Sequence, residues 1–177
     1  MKNILFGLII LLTCQTVKAQ KVMSNDKVTF SVPQQARDIS GHGSVRSKEG
    51  NPDFVIAKAK NKINRQLLEI GDMTLSVRVI DFVTGEKYLE NLRGSFFFDA
   101  QLASHRKYLI SELSALNNFK YLVIRYESPD DPSVYTLFYA INNARTKMLK
   151  GAAEFPKTTR ANSQQAFMNF LRTVKFK

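Results

Sequence analysis

Apolar and polar residues first alternate at Lys27 to Pro33. In "KVTFSVP", Val28, Phe30 and Val32 alternate with Lys27, Thr29 and Ser31, and Pro33 closes the run. A period of two predicts a half-buried strand, which the proline ends. "QQARDISGHGSVRSKEGN" follows with loop composition. The period then changes. Across "NPDFVIAKAKNKINRQLLEIG", Ile56, Ala59, Ile63, Leu67 and Ile70 recur at helical spacing, while Lys58, Lys62, Arg65 and Glu69 fall on the opposite side. Asn51 is placed to cap such a helix, Pro52 suits its first turn and Gly71 its end. A short strand over Phe54 to Ala57 competes for the first part. "MTLSVRVIDFV" returns to alternation, with Met73, Leu75, Val77 and Val79 against Thr74, Ser76 and Arg78, and Thr84-Gly85 turns the chain.

"DAQLASHRKYLISELSALNN" predicts a second helix, capped by Asp99 and striped by Leu102, Leu109, Leu113 and Leu116. A meander comes next. "FKYLVIRYE" and "VYTLFYAI" are aromatic and β-branched on both faces, as in strands covered on two sides. "SPDDPS" joins them with turn chemistry, and "NNAR" turns into a third strand from Lys147 to Phe155. A last helix is predicted from near Asn162, where Asn162 and Gln165 have capping-box spacing, and it buries Phe167, Phe170, Leu171 and Val174. Short turns between strands force antiparallel pairing. The expected architecture is therefore α+β, a largely antiparallel sheet flanked by helices.

The first residues change the picture of where this domain works. Lys2, the apolar run from Ile4 to Leu12 and the small-residue site Val17-Lys18-Ala19 have the form of a secretory signal peptide over 1–19. The run is well short of the roughly 20 residues that span a bilayer. Cleavage before Gln20 leaves a single domain over 20–177. The alternative is a lipobox centred on Cys14, against which bulky Leu12 and Thr13 count. Cys14 is the only cysteine, so release after Ala19 excludes disulfides, thiol catalysis and thiolate metal sites from the mature chain. The expected location is the periplasm or the medium.

Charge adds a second constraint. Once Lys2 and Lys18 leave with the leader, 24 basic side chains face 15 acidic ones. That surplus favours anionic partners such as lipid headgroups or acidic glycans, or else serves solubility. Nucleic acid is not expected of an exported chain. The basic side of the first predicted helix, with Lys58, Lys62 and Arg65 one turn apart and Lys60 near by, is the candidate surface for an anionic partner.

The "VTFSVP" strand, a central helix, the late meander and the closing "FMNFLRTVKF" helix that leads into a short β segment resemble the PsbP-like superfamily, which includes secreted bacterial relatives. The resemblance covers most of the mature chain. The family's aromatic residue soon after the first strand's proline is absent, since Gln34-Gln35-Ala36 follows Pro33. The resemblance implies an α/β/α sandwich and a non-enzymatic, partner-binding or assembly role, and it carries over no site residue.

Catalytic patterns are scarce. His42, in "SGHGS", and His105 are far apart and form no His-x-x-x-His or HExxH spacing. "GHGSVR" and "RGSFFF" lack the Gly-x-Ser-x-Gly elbow. Asp130-Asp131 reads as turn chemistry, as do Asp81 and Glu86 beside another turn. Phe96, Phe97 and Phe98 suit a partner patch or a buried segment. No metal, cofactor or catalytic group is expected. The expected function is an exported binding or assembly-support protein of the bacterial cell envelope. The alternatives are an envelope hydrolase centred on His42 or Asp81/Glu86, and electrostatic attachment to anionic lipid or glycan.

Overall fold

A computed structural model of the chain describes residues 20–40, 65–102, 106–116 and 118–177, with the backbone alone at 65 and 99–102. Among the described residues, ten strands and two helices run in the order β1 (Gln20–Ser24), β2 (Val28–Pro33), β3 (Arg37–Asp38), β4 (Arg65–Ile70), β5 (Met73–Asp81), α1 (Tyr88–Leu102), β6 (Lys107–Leu116), β7 (Phe119–Glu127), β8 (Ser133–Asn142), β9 (Lys147–Pro156), α2 (Arg160–Arg172) and β10 (Lys175–Phe176). A 3-10 turn, Lys157–Thr159, leads into α2. Seven strands form one sheet in the order β3-β4-β5-β9-β8-β7-β6, and β1-β2-β10 form a second. Every pairing is antiparallel.

The large sheet is covered on two faces. On one, the inward residues of β5, β7, β8 and β9 share a core with Val28, Phe30 and Val32 of β2 and with Phe167, Phe170, Leu171 and Val174 around α2. On the other, Leu89 and Leu92 of α1 pack on Leu122, Ile124, Ile141 and Met148. This explains why β7 and β8 are apolar on both faces. The predicted meander and the four apolar positions of the last helix stand as expected. That helix begins at Arg160, earlier than predicted, and no capping box forms: Gln165 Nε2 donates instead to Asn169 Oδ1 at 2.9 Å. The closing β segment pairs with β2, so the first described strands and the last one lie in one small sheet. Thr173 locks this junction, its Oγ1 accepting the Ser31 N–H at 2.8 Å and donating to the Phe170 carbonyl at 2.7 Å.

Two predicted helices are corrected. Of the span 51–71, residues Arg65–Ile70 form a strand, and the remainder before it lies outside the described residues. Gly71, with φ +58°, turns the β4–β5 hairpin instead of ending a helix. A left-handed glycine serves both purposes, so its presence alone does not separate them. Leu67 and Leu68, adjacent and each 1% exposed, lie on opposite faces of a strand buried on both sides.

The second predicted helix is strand β6. A register shift between Tyr108 and Ile110 inserts one residue against β7. Leu109 and Leu116 therefore reach the same core, while Leu113 reaches the opposite one. A bulge changes the parity of a strand, and a seven-residue leucine spacing then imitates two helical turns. The helix is α1, one element earlier, and Asp99 lies within it rather than capping it.

Candidate functional site

Between α2 and the small sheet runs a groove of about 570 Å³. One side of α2 supplies Asn162, Gln165, Ala166, Asn169 and Thr173, spaced so that they share a helix face. Ser31 to Pro33 and Gln35 form the opposite wall, Gln20 of β1 stands at its rim, and the β4–β5 turn of Ile70, Gly71 and Asp72 closes one end. Phe170, Val32 and Ile70, all buried, are its apolar floor. Carboxamides and hydroxyls dominate the walls, and Asp72 is the one charged residue among them.

Bonds within the groove commit part of its polar wall. Asn169 Oδ1 accepts from Gln165 Nε2 at 2.9 Å and from Arg172 Nη1 at 3.3 Å. Both lone pairs of that oxygen are thereby used, and the Asn169 NH2 is what the side chain has left to offer a ligand. Thr173 is committed to the main chain of Ser31 and Phe170. Phe170 lies edge-on to Phe30 at 5.2 Å, with its ring inside the core, so it gives a ligand no open aromatic face.

A smaller concavity of about 130 Å³ lies at the start of α1, lined by Thr84, Glu86, Leu89, Lys120, Ile141 and Arg145 among others. Glu86 belongs to it, but Asp81 does not. Asp81 instead takes a hydrogen bond from Lys27, across the two sheets. The pair Asp81/Glu86 is therefore not brought together in a cleft. Asp131 is a turn residue, as expected: its Oδ1 accepts the Ser133 N–H and its Oδ2 the Tyr135 hydroxyl, each at 2.8 Å.

Of the basic residues singled out by sequence, Arg65 opens strand β4 and stands opposite Arg78. Lys58, Lys62, His42, His105 and the leader lie outside the described residues. Phe96 packs inward near Tyr139, whereas Phe97 and Phe98 face outward, Phe98 with 64% exposure. Among the described residues no three His, Cys, Asp or Glu side chains gather as a metal site, and no helix is long and apolar enough to cross a membrane. The groove on α2 was missed in the sequence. Its signal was the polar side of the last helix, where Asn162, Gln165 and Asn169 replace the usual charges.

Two shifted groups bear on alkaline stability. The hydrogen bond to Asp81 raises the Lys27 pKa above its ordinary 10.5 against the opposing effect of desolvation. Its contribution is intact below pH 10.5 and is lost as pH rises through the native value. Burial, then the hydrogen bond to Glu112, raises the Tyr121 pKa above 10.0. The unfolded chain ionises that phenol first, so stability falls from there upward. The urea midpoint is expected to stay level between about pH 7 and 9 and to decline above about pH 10. In Tyr121→Phe the decline should be shallower, and equal slopes in the two proteins would refute the assignment.

The architecture is that of the PsbP-like fold, an antiparallel α+β sandwich. Solved structures with this fold include cyanobacterial PsbP (CyanoP) from Synechocystis sp. PCC 6803, 13% identical, matched over 95% of this chain and 99% of that one with a TM-score of 0.55. The Ran-binding protein Mog1p of Saccharomyces cerevisiae is 9% identical, over 89% of this chain and 95% of its own, with a TM-score of 0.50. No family model and no curated protein sequence matches the chain.

Proposed function

We propose that the protein is an exported binding or assembly-support protein of the bacterial cell envelope, which receives an extended, uncharged stretch of a partner protein in the groove between α2 and the small sheet. The observation that carries this reading is the composition of the groove. Carboxamides and hydroxyls both donate and accept, so they match a peptide main chain, which alternates N–H and C=O. A sugar ligand would be better served by an open aromatic face, and the groove has none. The signal-peptide pattern supports export, and Mog1p, a Ran-binding protein, is an example of protein binding on this fold.

The test places a photo-crosslinking amino acid at Gln165 in cells, with a control at exposed Lys175 of β10. A discrete protein adduct from Gln165 that is absent from Lys175 is the expected result. Asn162→Ala with Asn169→Ala should weaken that adduct several-fold while leaving the urea midpoint within about 0.5 kcal/mol of the parent in stability terms, as for surface changes. Equal adducts at both positions, or none at Gln165, would overturn the reading.

A further inference from the structure

Arg125 is the buried charge that the fold itself does not explain. It lies on the α2 side of β7, 2% exposed, opposite Thr136 of β8. Its Nε donates to Thr136 Oγ1 at 3.1 Å. Among the described residues no carboxylate makes an ion pair with the guanidinium. Burial lowers its pKa, Arg160 lowers it further, and Glu112 opposes both. Holding a buried guanidinium without a carboxylate is costly, and the charge of Arg160 adds repulsion.

The surroundings add cations instead of compensating acids. Arg160, the first residue of α2, stands 4.0 Å from Glu127 Oε2, and its side chain is half exposed. Lys107 reaches the other Glu127 oxygen at 3.6 Å. Lys157 Nζ donates to the carbonyl of Ser128, the next residue, at 2.8 Å. Among the described residues Arg160 and Lys107 thus share the single carboxylate of Glu127, and Glu112 is occupied by the Tyr121 hydroxyl. The first turn of α2 holds no acid, and the Thr159 side chain does not cap it, so the helix's own residues do not offset the positive end of its dipole.

We propose that Arg125 and Arg160 form the core of a binding site for a phosphate group, with Arg160 leaving its long contact to Glu127 to close over the anion. Paired guanidinium groups present several N–H donors in fixed directions, which suits a tetrahedral dianion better than a single planar carboxylate. The phosphate is either free in solution or the headgroup of a phospholipid, and the same residues would hold it in both cases. This site is separate from the α2 groove and does not depend on the reading given to that groove.

The experiment uses the mature chain at matched ionic strength, because surface effects would otherwise follow salt alone. Inorganic phosphate should raise the melting temperature and shift the Arg125 Nε–Hε resonance, whereas acetate and chloride should do neither. Arg160→Glu, a change at an exposed position, should weaken phosphate binding about tenfold or more, as expected for a lost charge-assisted contact. Arg125→Met should abolish the response, and Arg160→Glu keeps the test decisive if that buried variant fails to fold. A second arm measures sedimentation with phosphatidylcholine vesicles, with and without phosphatidic acid. Binding that needs phosphatidic acid and Arg160 identifies a lipid source, and a response to inorganic phosphate alone identifies a soluble one. An equal response to acetate, an undiminished response in Arg160→Glu, or no response to either probe would overturn the proposal.

Discussion

Gly151→Ala is expected to destabilise the protein by about 3 kcal/mol or more, at the upper end for overpacking in a core. Gly151 lies within β9, paired on one side with Val77 of β5 and on the other with Phe138 of β8. A Cβ there would stand 1.9 Å from the Ser76 carbonyl oxygen and 2.8 and 2.9 Å from two carbons of the Phe138 ring. Neither obstacle yields cheaply. The carbonyl belongs to the main chain of a strand paired on both sides, so moving it disturbs two ladders. The ring is held by Phe167 at 5.4 Å and Phe170 at 5.8 Å. Gly94, within α1, gives the opposite case, since a Cβ there meets nothing within 4 Å. Gly94→Ala should stabilise by about 0.5–1 kcal/mol, the ordinary gain in a helix interior. Urea unfolding of the two variants checks the pair, and a Gly151→Ala midpoint equal to that of the parent would refute the packing argument. Combining Gly151→Ala with Phe138→Leu should recover only part of the loss, because the Ser76 oxygen remains.

The elements that were legible in the chain are those whose periodicity is unbroken. Val28, Phe30 and Val32 alternate in the sequence and are all buried in one core. Phe167, Phe170, Leu171 and Val174 keep helical spacing and face that same core. The strands β7 and β8 were legible from apolar residues on both faces, which a two-sided sheet demands. The failures have equally specific causes. The bulge at Tyr108/Ile110 turns a strand's leucines into a false heptad. Gly71 carries a left-handed conformation that fits a helix end as well as a hairpin. In α1 the inward face of Leu89, Leu92 and Phe96 is offset by outward Phe97 and Phe98, so the helix lacks a clean polar side. The candidate groove was not legible because its walls come from α2, β2 and the β4–β5 turn, which only the antiparallel topology brings together. The same holds for Arg125, which sits in an otherwise apolar strand and whose burial no local pattern announces.

Phe170→Ala is expected to cost about 3–5 kcal/mol, the usual range for removing a buried aromatic ring. The ring joins three elements: it meets Phe30 of β2 at 5.2 Å, Phe138 of β8 at 5.8 Å and Phe167 of α2 at 6.2 Å. Two of these contacts are edge-on, a geometry that adds to the area term. Against a total stability of about 5–15 kcal/mol for a domain, the loss is a large fraction. It should appear as a lower urea midpoint with an unchanged slope if the two sheets and α2 still unfold together. A reduced slope would mean that α2 and the small sheet have separated from the large sheet, leaving less surface to expose. Phe98→Ala on the outer side of α1 provides the comparison, with an expected change within about 0.5 kcal/mol. Phe170 is also the floor of the groove, so its loss should reduce crosslinking from Gln165 together with stability. Asn169→Ala on the rim should reduce crosslinking alone. If Phe170→Ala lowered stability by less than about 1 kcal/mol, the shared core of α2 and the small sheet would be mistaken, because collapse around a void recovers only part of a ring's contribution.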